Sequence, residues 1–131
     1  MIFGIGTDIV DISRIKKMNS VQKFAQKILG NQEMDIFESI DGEKKIFFLS
    51  KQFAAKEAFL KALGTGINKS LRFKDIEILR DEKGKPFFSF NSSSSELISS
   101  FGIVGTHVSL SDEKDNAIAF VILEKWKILF Y

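Results

Sequence analysis

Two carboxylates stand in local patterns that suit chemistry on a charged ligand. Asp8 closes an apolar run that begins at Met1 and turns polar at its end, and Glu57 lies in a Lys-rich segment near the middle of the chain. A divalent ion such as Mg2+ is usually held by one or two carboxylates together with substrate phosphates. If the fold brings Asp8 and Glu57 together, they form a site for such an ion, and the neighbouring lysines suit a phosphate-rich ligand.

Each carboxylate also has a structural explanation. Residues four apart share a face of a helix, so Glu57 and Lys61 are neighbours that could form an ordinary ion pair worth roughly 0.3 to 0.5 kcal/mol. Asp8 is expected at the end of its strand, where it could instead cap a helix over residues 9–13. Residues 4–9 are not a dinucleotide fingerprint, because Ile9 stands where the third glycine belongs.

Two further groups of polar residues have spacings of interest. Period-two alternation puts His107, Ser109 and Ser111 on one face of a strand, away from its apolar residues. Those apolar-face residues are Val104, Thr106, Val108 and Leu110. The turn Gly64, Thr65 and Gly66 follows the C-terminal end of a helix, so it is not a phosphate loop, which would precede a helix. Phosphate bound there would need a cation, backbone N–H groups or lysines such as Lys61.

Composition limits the classes of protein to consider. The 131 residues fit one domain, 1–131, with a core built from 44% hydrophobic residues. With no Cys and a single His, thiolate zinc sites, multi-histidine metal sites and cysteine nucleophiles are excluded. A net charge of +2 is too small to indicate general nucleic-acid binding. No apolar run reaches the roughly 18 to 20 residues of a membrane helix, and the N-terminus does not resemble a signal peptide, so we expect a cytoplasmic protein.

Hydrophobic spacing predicts an α+β fold. Apolar residues recur every three or four positions over 43–63, which predicts a long central helix ended by Gly64. Shorter helices are expected at the N-terminal side, one of them capped by Asp11 or Ser13 and ending near Met18, and the second half alternates with period two. The expected strands are 1–8, 74–80, 86–90, 103–111 and 117–124, and a further helix covers 95–101. One antiparallel sheet packed against these helices follows.

Several segments, in order along nearly the whole chain, resemble one family. They are residues 4–11 (GIGTDIVD), 53–58 (FAAKEA), 61–66 (KALGTG), 84–86 (GKP) and 107–111 (HVSLS). Together they resemble the holo-[acyl-carrier-protein] synthases, small bacterial 4'-phosphopantetheinyl transferases. The resemblance implies transfer of 4'-phosphopantetheine from coenzyme A to a serine of apo acyl carrier protein, with release of adenosine 3',5'-bisphosphate, in support of fatty acid biosynthesis.

The resemblance also assigns roles to residues. Asp8 and Glu57 would hold Mg2+ against the coenzyme A diphosphate, with Lys61 as a second positive contact. The serine proton would pass to Glu57 or to a metal-bound water, and both possibilities stay open. His107 would act in the active site and contact coenzyme A. The residues that would shape the coenzyme A pocket are Gly64, Thr65, Gly66, Pro86, Ser109 and Ser111.

Members of this family are homotrimers whose active sites lie between subunits, so the resemblance implies a trimer here. It also implies that the helix after Asp8 docks the acidic carrier protein through Arg14, with Lys17, Met18 and Lys23 beside it. The apolar tail 125–131 is expected to dock on the body of the protein or on a neighbouring subunit.

Two positions depart from the family pattern. Gln52 stands where an arginine is usual, and Asp112 stands where many members have a second histidine. Both changes affect the expected contacts around the nucleotide phosphate. Lys51 could substitute there as a point charge, although without the paired hydrogen bonds of arginine.

Two other functions fit the same residues less fully. One is a non-catalytic trimeric module that binds acidic proteins, and the other is a metal-dependent nucleotide phosphohydrolase.

Overall fold

The computed structural model describes residues 1–66 and 71–127. In chain order the elements are β1 (Ile2–Asp11), α1 (Ile12–Lys16), α2 (Val21–Ile28), α3 (Asn31–Ser39), α4 (Glu43–Leu63), a 3-10 turn (Phe73–Asp75), β2 (Ile76–Arg80), β3 (Pro86–Phe90), α5 (Ser92–Ser100), β4 (Ile103–Asp112) and β5 (Asn116–Lys125). The predicted α+β class, with a long helix and antiparallel strands, is confirmed.

The long helix α4 has the predicted limits. Gly64 adopts the left-handed conformation with φ +83°, and its N–H donates to the Leu60 carbonyl at 2.9 Å. A residue with a Cβ is strained at such a φ, which explains why glycine ends the helix. The start of α1 is fixed by Asp11, whose side chain accepts a hydrogen bond from the backbone N–H of Ser13 at 3.0 Å.

Asp8 does not end its strand, contrary to the prediction. The strand β1 continues to Asp11, and Asp8 is paired with Ala119 inside the ladder between β1 and β5. Asp8 therefore does not cap a helix, because Asp11 has that role. Two smaller boundaries also differ. The side chain of Asn91 caps α5, so the helix begins earlier than predicted, and a 3-10 turn precedes β2.

The strands form two sheets rather than the single sheet that was predicted. One has three strands in the order β1-β5-β4, and the other is the hairpin β2-β3; both are antiparallel. Phe90 of β3 shares a small cavity with the start of β4. At that end the register of β4 shifts between Ile103 and Gly105, and such a bulge bends a strand and interrupts its pairing. The hairpin thus packs beside β4 without joining its ladder.

One face of the three-stranded sheet lies directly on α4. A Cβ on Gly4 would come within 2.0 Å of the Ala62 carbonyl oxygen, and one on Gly6 within 2.0 Å of the Ala58 carbonyl oxygen. Only glycine permits this distance between strand and helix backbones. The residues of β5 on this face are fully buried: Ala117, Ala119, Val121 and Leu123. Small residues in contact therefore bring β1 and α4 unusually close together.

The opposite face of the same sheet carries exposed apolar side chains. On β1, Ile5 is 58% and Ile9 62% exposed; on β5, Ile118 is 44% and Phe120 39% exposed. Val104, which was predicted on the apolar side of β4 with Val108, is instead 51% exposed, because the bulge at this position breaks the alternation. A contiguous apolar face of this kind is typical of a protein surface that meets a partner.

Near the C-terminus, Trp126 is 73% exposed. The predicted docking of the apolar tail concerns mainly residues 128–131, which lie outside the described residues. Across the parts of the chain that are described, no helix has the length and apolar character needed to span a membrane.

Candidate active site

The contact between β1 and α4 places Asp8 against the last turns of the helix. Gly4, Gly6 and Asp8 share one face of β1, since side chains alternate along a strand. Lys61 reaches across from α4, and its Nζ donates to Asp8 Oδ1 at 3.0 Å and to the Thr7 carbonyl oxygen at 3.0 Å. The ion pair of Lys61 is therefore with Asp8, not with Glu57 on its own helix.

Glu57 lies close enough to Asp8 for their charges to interact. Its side chain is half-buried, and burial raises the pKa of the Glu57 carboxyl; the negative charge of Asp8 raises it further. The positive charges of Lys61 and Arg14 oppose this rise in the pKa of Glu57 without cancelling it. Two carboxylates, one lysine and one arginine thus share a single electrostatic environment, as the sequence predicted for Asp8, Glu57 and Lys61.

An open cleft of about 570 Å3 lies along the C-terminal end of α4. Its lining residues are Glu57, Leu60, Lys61, Gly64, Thr65 and Gly66. The side chain of Lys61 is 56% exposed, whereas that of Asp8 is 16% exposed. The cleft is therefore lined by an exposed positive group with a largely buried carboxylate beside it, and it is large enough for part of an extended, anionic ligand.

The remaining residues with predicted roles in coenzyme A binding lie elsewhere in the chain. His107, Ser109 and Ser111 are exposed on one face of β4, as predicted. His107 is opposite Ile122 of β5, so this is the open face of the sheet, whereas Asp8 lies on the face against α4. Pro86 begins β3 in the separate hairpin. Within one chain, these residues are not brought to the cleft.

His107 has a charged partner on its own sheet. Its Nε2 is 2.7 Å from Glu124 Oε2 on β5, and this hydrogen bond is the main cause that lowers the pKa of Glu124. Both side chains are about half exposed. The imidazole is therefore held in a defined position at the surface, where it can contact a molecule that covers this face.

The residues around Asp8 fit a hard divalent cation. The Asp8 and Glu57 carboxylates and the Thr7 carbonyl offer oxygen atoms as metal ligands. The Lys61 ammonium already donates hydrogen bonds to two of these groups, Asp8 and the Thr7 carbonyl. Within residues 1–66 and 71–127, no group of three or more His, Cys, Asp or Glu side chains is arranged to hold a metal by itself. This donor set suits Mg2+, which keeps waters and substrate phosphates among its ligands.

The residues predicted for partner binding lie on α1, on α2 and in the short connection between them. Arg14, Lys17 and Lys23 are exposed, and Met18 is half-buried against the core. The positive charge of Arg14 is near enough to Glu57 to oppose the rise in the pKa of the Glu57 carboxyl. The basic surface and the cleft are therefore adjacent. This surface has the charge that an acidic partner would require.

A buried ion pair next to Glu57 was not predicted. Lys56 is fully buried, and its Nζ donates to Glu33 Oε1 at 2.6 Å and to the carbonyl oxygens of Phe73 at 2.8 Å and Ile76 at 2.6 Å. Glu33 is also fully buried. Burial lowers the pKa of Lys56 and raises that of Glu33, while their mutual attraction opposes both shifts. The sequence contained a signal, because Lys56 lies on the apolar side of α4 with Phe59 one turn away.

The two departures from the family pattern have structural partners. Gln52 is 4% exposed and donates to Glu33 and, at 2.8 Å, to the Ile78 carbonyl, so it belongs to the buried network and not to a ligand surface. Lys51 Nζ is 3.4 Å from Asp112 Oδ1. Lys51 therefore has an acidic partner in this structure, and its role as a substitute point charge for a phosphate stays a prediction.

Comparisons with known proteins show the family to which the chain belongs. A family profile described as the 4'-phosphopantetheinyl transferase superfamily matches residues 4–121. A holo-[acyl-carrier-protein] synthase of Vibrio vulnificus (strain CMCP6) is 46% identical over 125 residues, which cover 94% of this chain and 98% of that protein. The chain belongs to the 4'-phosphopantetheinyl transferase superfamily.

Within this superfamily, the chain is similar to solved structures of holo-[acyl-carrier-protein] synthases. A crystal structure of holo-[acyl-carrier-protein] synthase (AcpS) from Neisseria meningitidis has a TM-score of 0.89 and 43% identity, covering 95% of this chain and 100% of that one. A holo-(acyl-carrier-protein) synthase from Bacillus anthracis str. Ames, in complex with CoA (3',5'-ADP), has a TM-score of 0.81 and 38% identity, covering 96% and 99%. The resemblance read from the sequence is confirmed, and the protein is an enzyme of the holo-[acyl-carrier-protein] synthase type.

Proposed function

We propose that this enzyme transfers 4'-phosphopantetheine from coenzyme A to a serine of apo acyl carrier protein, in the cytoplasm, at the cleft beside Asp8, Glu57 and Lys61. The serine oxygen forms a bond to the phosphorus that carries pantetheine, and the bond from this phosphorus to the bridging oxygen breaks. Adenosine 3',5'-bisphosphate leaves with the bridging electrons. The observation that carries the proposal is the convergence of the two carboxylates and the lysine at one cleft.

Each of the three residues has a role that its environment supports. Asp8 and Glu57 would hold Mg2+, whose positive charge neutralises the diphosphate when bound. Lys61 is exposed enough to reach a phosphate oxygen, and as an ammonium it adds a point charge where negative charge builds up on the leaving group. Burial and the charge of Asp8 raise the pKa of Glu57, and the serine proton would pass to Glu57 or to a water molecule in the site.

The acceptor would approach over α1. Acyl carrier protein is acidic in this family, and Arg14, Lys17 and Lys23 present an exposed basic surface with Met18 as an apolar contact. Because Arg14 interacts electrostatically with Glu57, a serine held at this surface would lie near the cleft. We expect association to weaken as salt rises, since charge steering is screened.

We further propose that three copies of the chain assemble through the open face of the three-stranded sheet. The exposed side chains of Ile5, Ile9 and Phe120 leave apolar surface that a symmetric partner would cover. Asp8 and His107 lie on opposite faces of this sheet. One chain therefore cannot direct both to the same ligand, whereas the His107 of a neighbouring copy could reach the cleft beside Asp8.

In this assembly the open-face residues of one copy would complete the coenzyme A site of the next. His107, Ser109 and Ser111 supply ring nitrogens and hydroxyls for the nucleotide part of the ligand, and the Gly64–Gly66 turn supplies backbone N–H groups close to the phosphates. Pro86, in the neighbouring hairpin, would line the same pocket.

Intact-mass measurement of the carrier protein tests the transfer directly. Purified enzyme, coenzyme A, Mg2+ and apo acyl carrier protein should yield carrier heavier by one phosphopantetheine group. Asp8→Asn and Glu57→Gln should each reduce the rate about 100-fold or more. Glu96→Gln, a matched change of an exposed glutamate on α5, should keep the rate.

The same measurement separates the alternatives. Unmodified carrier with hydrolysed coenzyme A would indicate a phosphohydrolase. Carrier that binds but stays unmodified, with intact coenzyme A, would indicate a binding module. For the shared site, we expect mixed oligomers of Asp8→Asn and His107→Ala to regain transfer, because some sites then combine an intact Asp8 with an intact His107 from the neighbour. No recovery on mixing would contradict a site shared between copies.

A further inference from the structure

We propose that Lys61 is an internal counter-ion of Asp8 that a divalent cation must displace, and that the coenzyme A diphosphate assists this displacement by attracting Lys61. The metal ion and coenzyme A would then bind with positive coupling through one side chain. This inference rests on the proposed function, and it assigns to Lys61 a second role, the control of metal loading, beside its contact with phosphate.

The first step of the argument is steric and electrostatic. Lys61 Nζ lies 3.0 Å from both Asp8 Oδ1 and the Thr7 carbonyl oxygen. A divalent ion bound to the same carboxylate oxygen would lie about 2.1 Å from it. Its positive charge would then be only a few ångströms from the ammonium, and two positive charges this close in a partly desolvated site repel each other strongly. The Lys61 contact and a bound cation on Asp8 Oδ1 therefore exclude one another.

The second step is that Lys61 can leave while Asp8 cannot. The lysine side chain is 56% exposed at the mouth of the cleft, and the aspartate is 16% exposed within a paired strand. An ion pair with one partner so exposed is weak, because water screens the attraction. A modest attraction to another negatively charged group is thus sufficient to move the Lys61 ammonium away from Asp8. The cleft next to it, which also contains the Gly64–Gly66 turn, is where a diphosphate would provide that attraction.

The third step is thermodynamic. If coenzyme A stabilises the conformation in which Lys61 has left Asp8, it raises the affinity of Asp8 for a cation, and the cation raises the affinity for coenzyme A by the same factor. The enzyme would therefore bind metal weakly until the donor is present. Part of this coupling comes from phosphate ligation of the metal, and the part due to Lys61 can be removed by substitution.

The test measures Mn2+ binding to the full-length protein by electron paramagnetic resonance, with and without coenzyme A. In Lys61→Met, we expect Mn2+ alone to bind about fivefold more tightly than in the wild type, which is the fold-change that a loss of about 1 kcal/mol of competition produces. The ratio of the Mn2+ dissociation constants without and with coenzyme A should fall by a similar factor.

Two control variants make the result specific. Arg14→Gln also removes one positive charge near Glu57, but no hydrogen bond joins Arg14 to Asp8 among the described residues, so we expect less than a twofold change. If Lys61→Met matches Arg14→Gln or the wild type, displacement of Lys61 is overturned while the proposed transferase stands. If Asp8→Asn binds Mn2+ as the wild type does, with coenzyme A present, the proposed metal site itself fails.

Discussion

Two lysines five positions apart on α4 have opposite environments. Lys56 is fully buried and bonded to a buried carboxylate and to two carbonyl oxygens. Lys61 is mostly exposed and bonded to one carboxylate and one carbonyl at the edge of a cleft. Lys56 connects α4 to α3 and to the segment around the start of β2. Lys61 forms an ion pair with Asp8, a residue proposed to bind metal.

The difference separates charged residues that are tied into the fold from charged residues that are free to exchange partners. A buried charge must keep its partners, because leaving one unpaired costs several kcal/mol. An exposed charge can exchange partners at little cost. Lys56 therefore has the properties of a residue that stabilises the fold next to Glu57. Lys61 has the properties of a residue that can change its hydrogen-bond partners when a ligand binds.

The largest expected effect comes from Lys56→Met. Removal of the ammonium leaves Glu33 buried without its cation, so we expect the free energy of unfolding to fall by about 3 to 5 kcal/mol, measured by urea denaturation. The matched change on the same helix, Lys61→Met, should alter it by less than about 1 kcal/mol. Similar losses for both variants would contradict the comparison.

A second variant refines this result. Adding Glu33→Gln to Lys56→Met removes the unpaired charge and keeps side-chain groups that can bond to Gln52 and to backbone N–H groups. The double variant should therefore be more stable than Lys56→Met alone, which is a coupling that distant residues do not show.

A smaller loss is expected from Gly6→Ala. The new Cβ would lie 2.0 Å from the Ala58 carbonyl oxygen, so β1 must move away from α4, at a cost of about 1 to 3 kcal/mol in unfolding free energy. The movement should also separate Asp8 from Lys61 and weaken Mn2+ binding in the presence of coenzyme A. Gly66→Ala meets no atom within 4 Å and should leave stability unchanged. Equal stability of the two variants would show that the close contact is not needed.

The smallest expected effect has the opposite sign. The pKa of Glu57 is raised in the folded protein, so the folded state holds the carboxyl proton more tightly than the unfolded chain does. Stability from this group is complete below the pKa of the unfolded carboxyl and is lost as pH rises through the folded pKa. Glu57→Gln should therefore raise stability at pH 7, by less than about 1 kcal/mol, although we expect it to slow transfer.

Unfolding curves at pH 7 and at mildly acidic pH measure this effect. The advantage of Glu57→Gln over the wild type should shrink as the pH falls, because the wild-type carboxyl becomes protonated. Carbon NMR of the Glu57 carboxyl gives the pKa directly, and Asp8→Asn should lower it by removing the nearby negative charge. A variant that is less stable than the wild type at pH 7 would contradict the assigned sign.

Local patterns in the sequence were sufficient for most elements and for the residues of the cleft. The spacing of apolar residues and Gly64 defined α4, because a helix exposes the same face every three to four residues and glycine tolerates a positive φ. The extent of β1 was not predicted, because the strand continues through Asp8 only by pairing with β5, more than 100 residues away. The division into two sheets also depends on which distant strands share hydrogen bonds.

The chemistry of the site divides in the same way. The residue types at Asp8, Glu57 and Lys61, within their motifs, were enough to indicate the family and the kind of ligand, because these preferences belong to the side chains themselves. Only the tertiary structure decided which charges meet. Lys61 bonds to Asp8 and not to Glu57, Lys56 is buried against Glu33, and His107 lies on the other face of the sheet from Asp8. The pairing of Lys61 with Asp8 depends on the distance between β1 and α4, which Gly4 and Gly6 set by their contacts with Ala62 and Ala58. No local pattern in the sequence contains that distance.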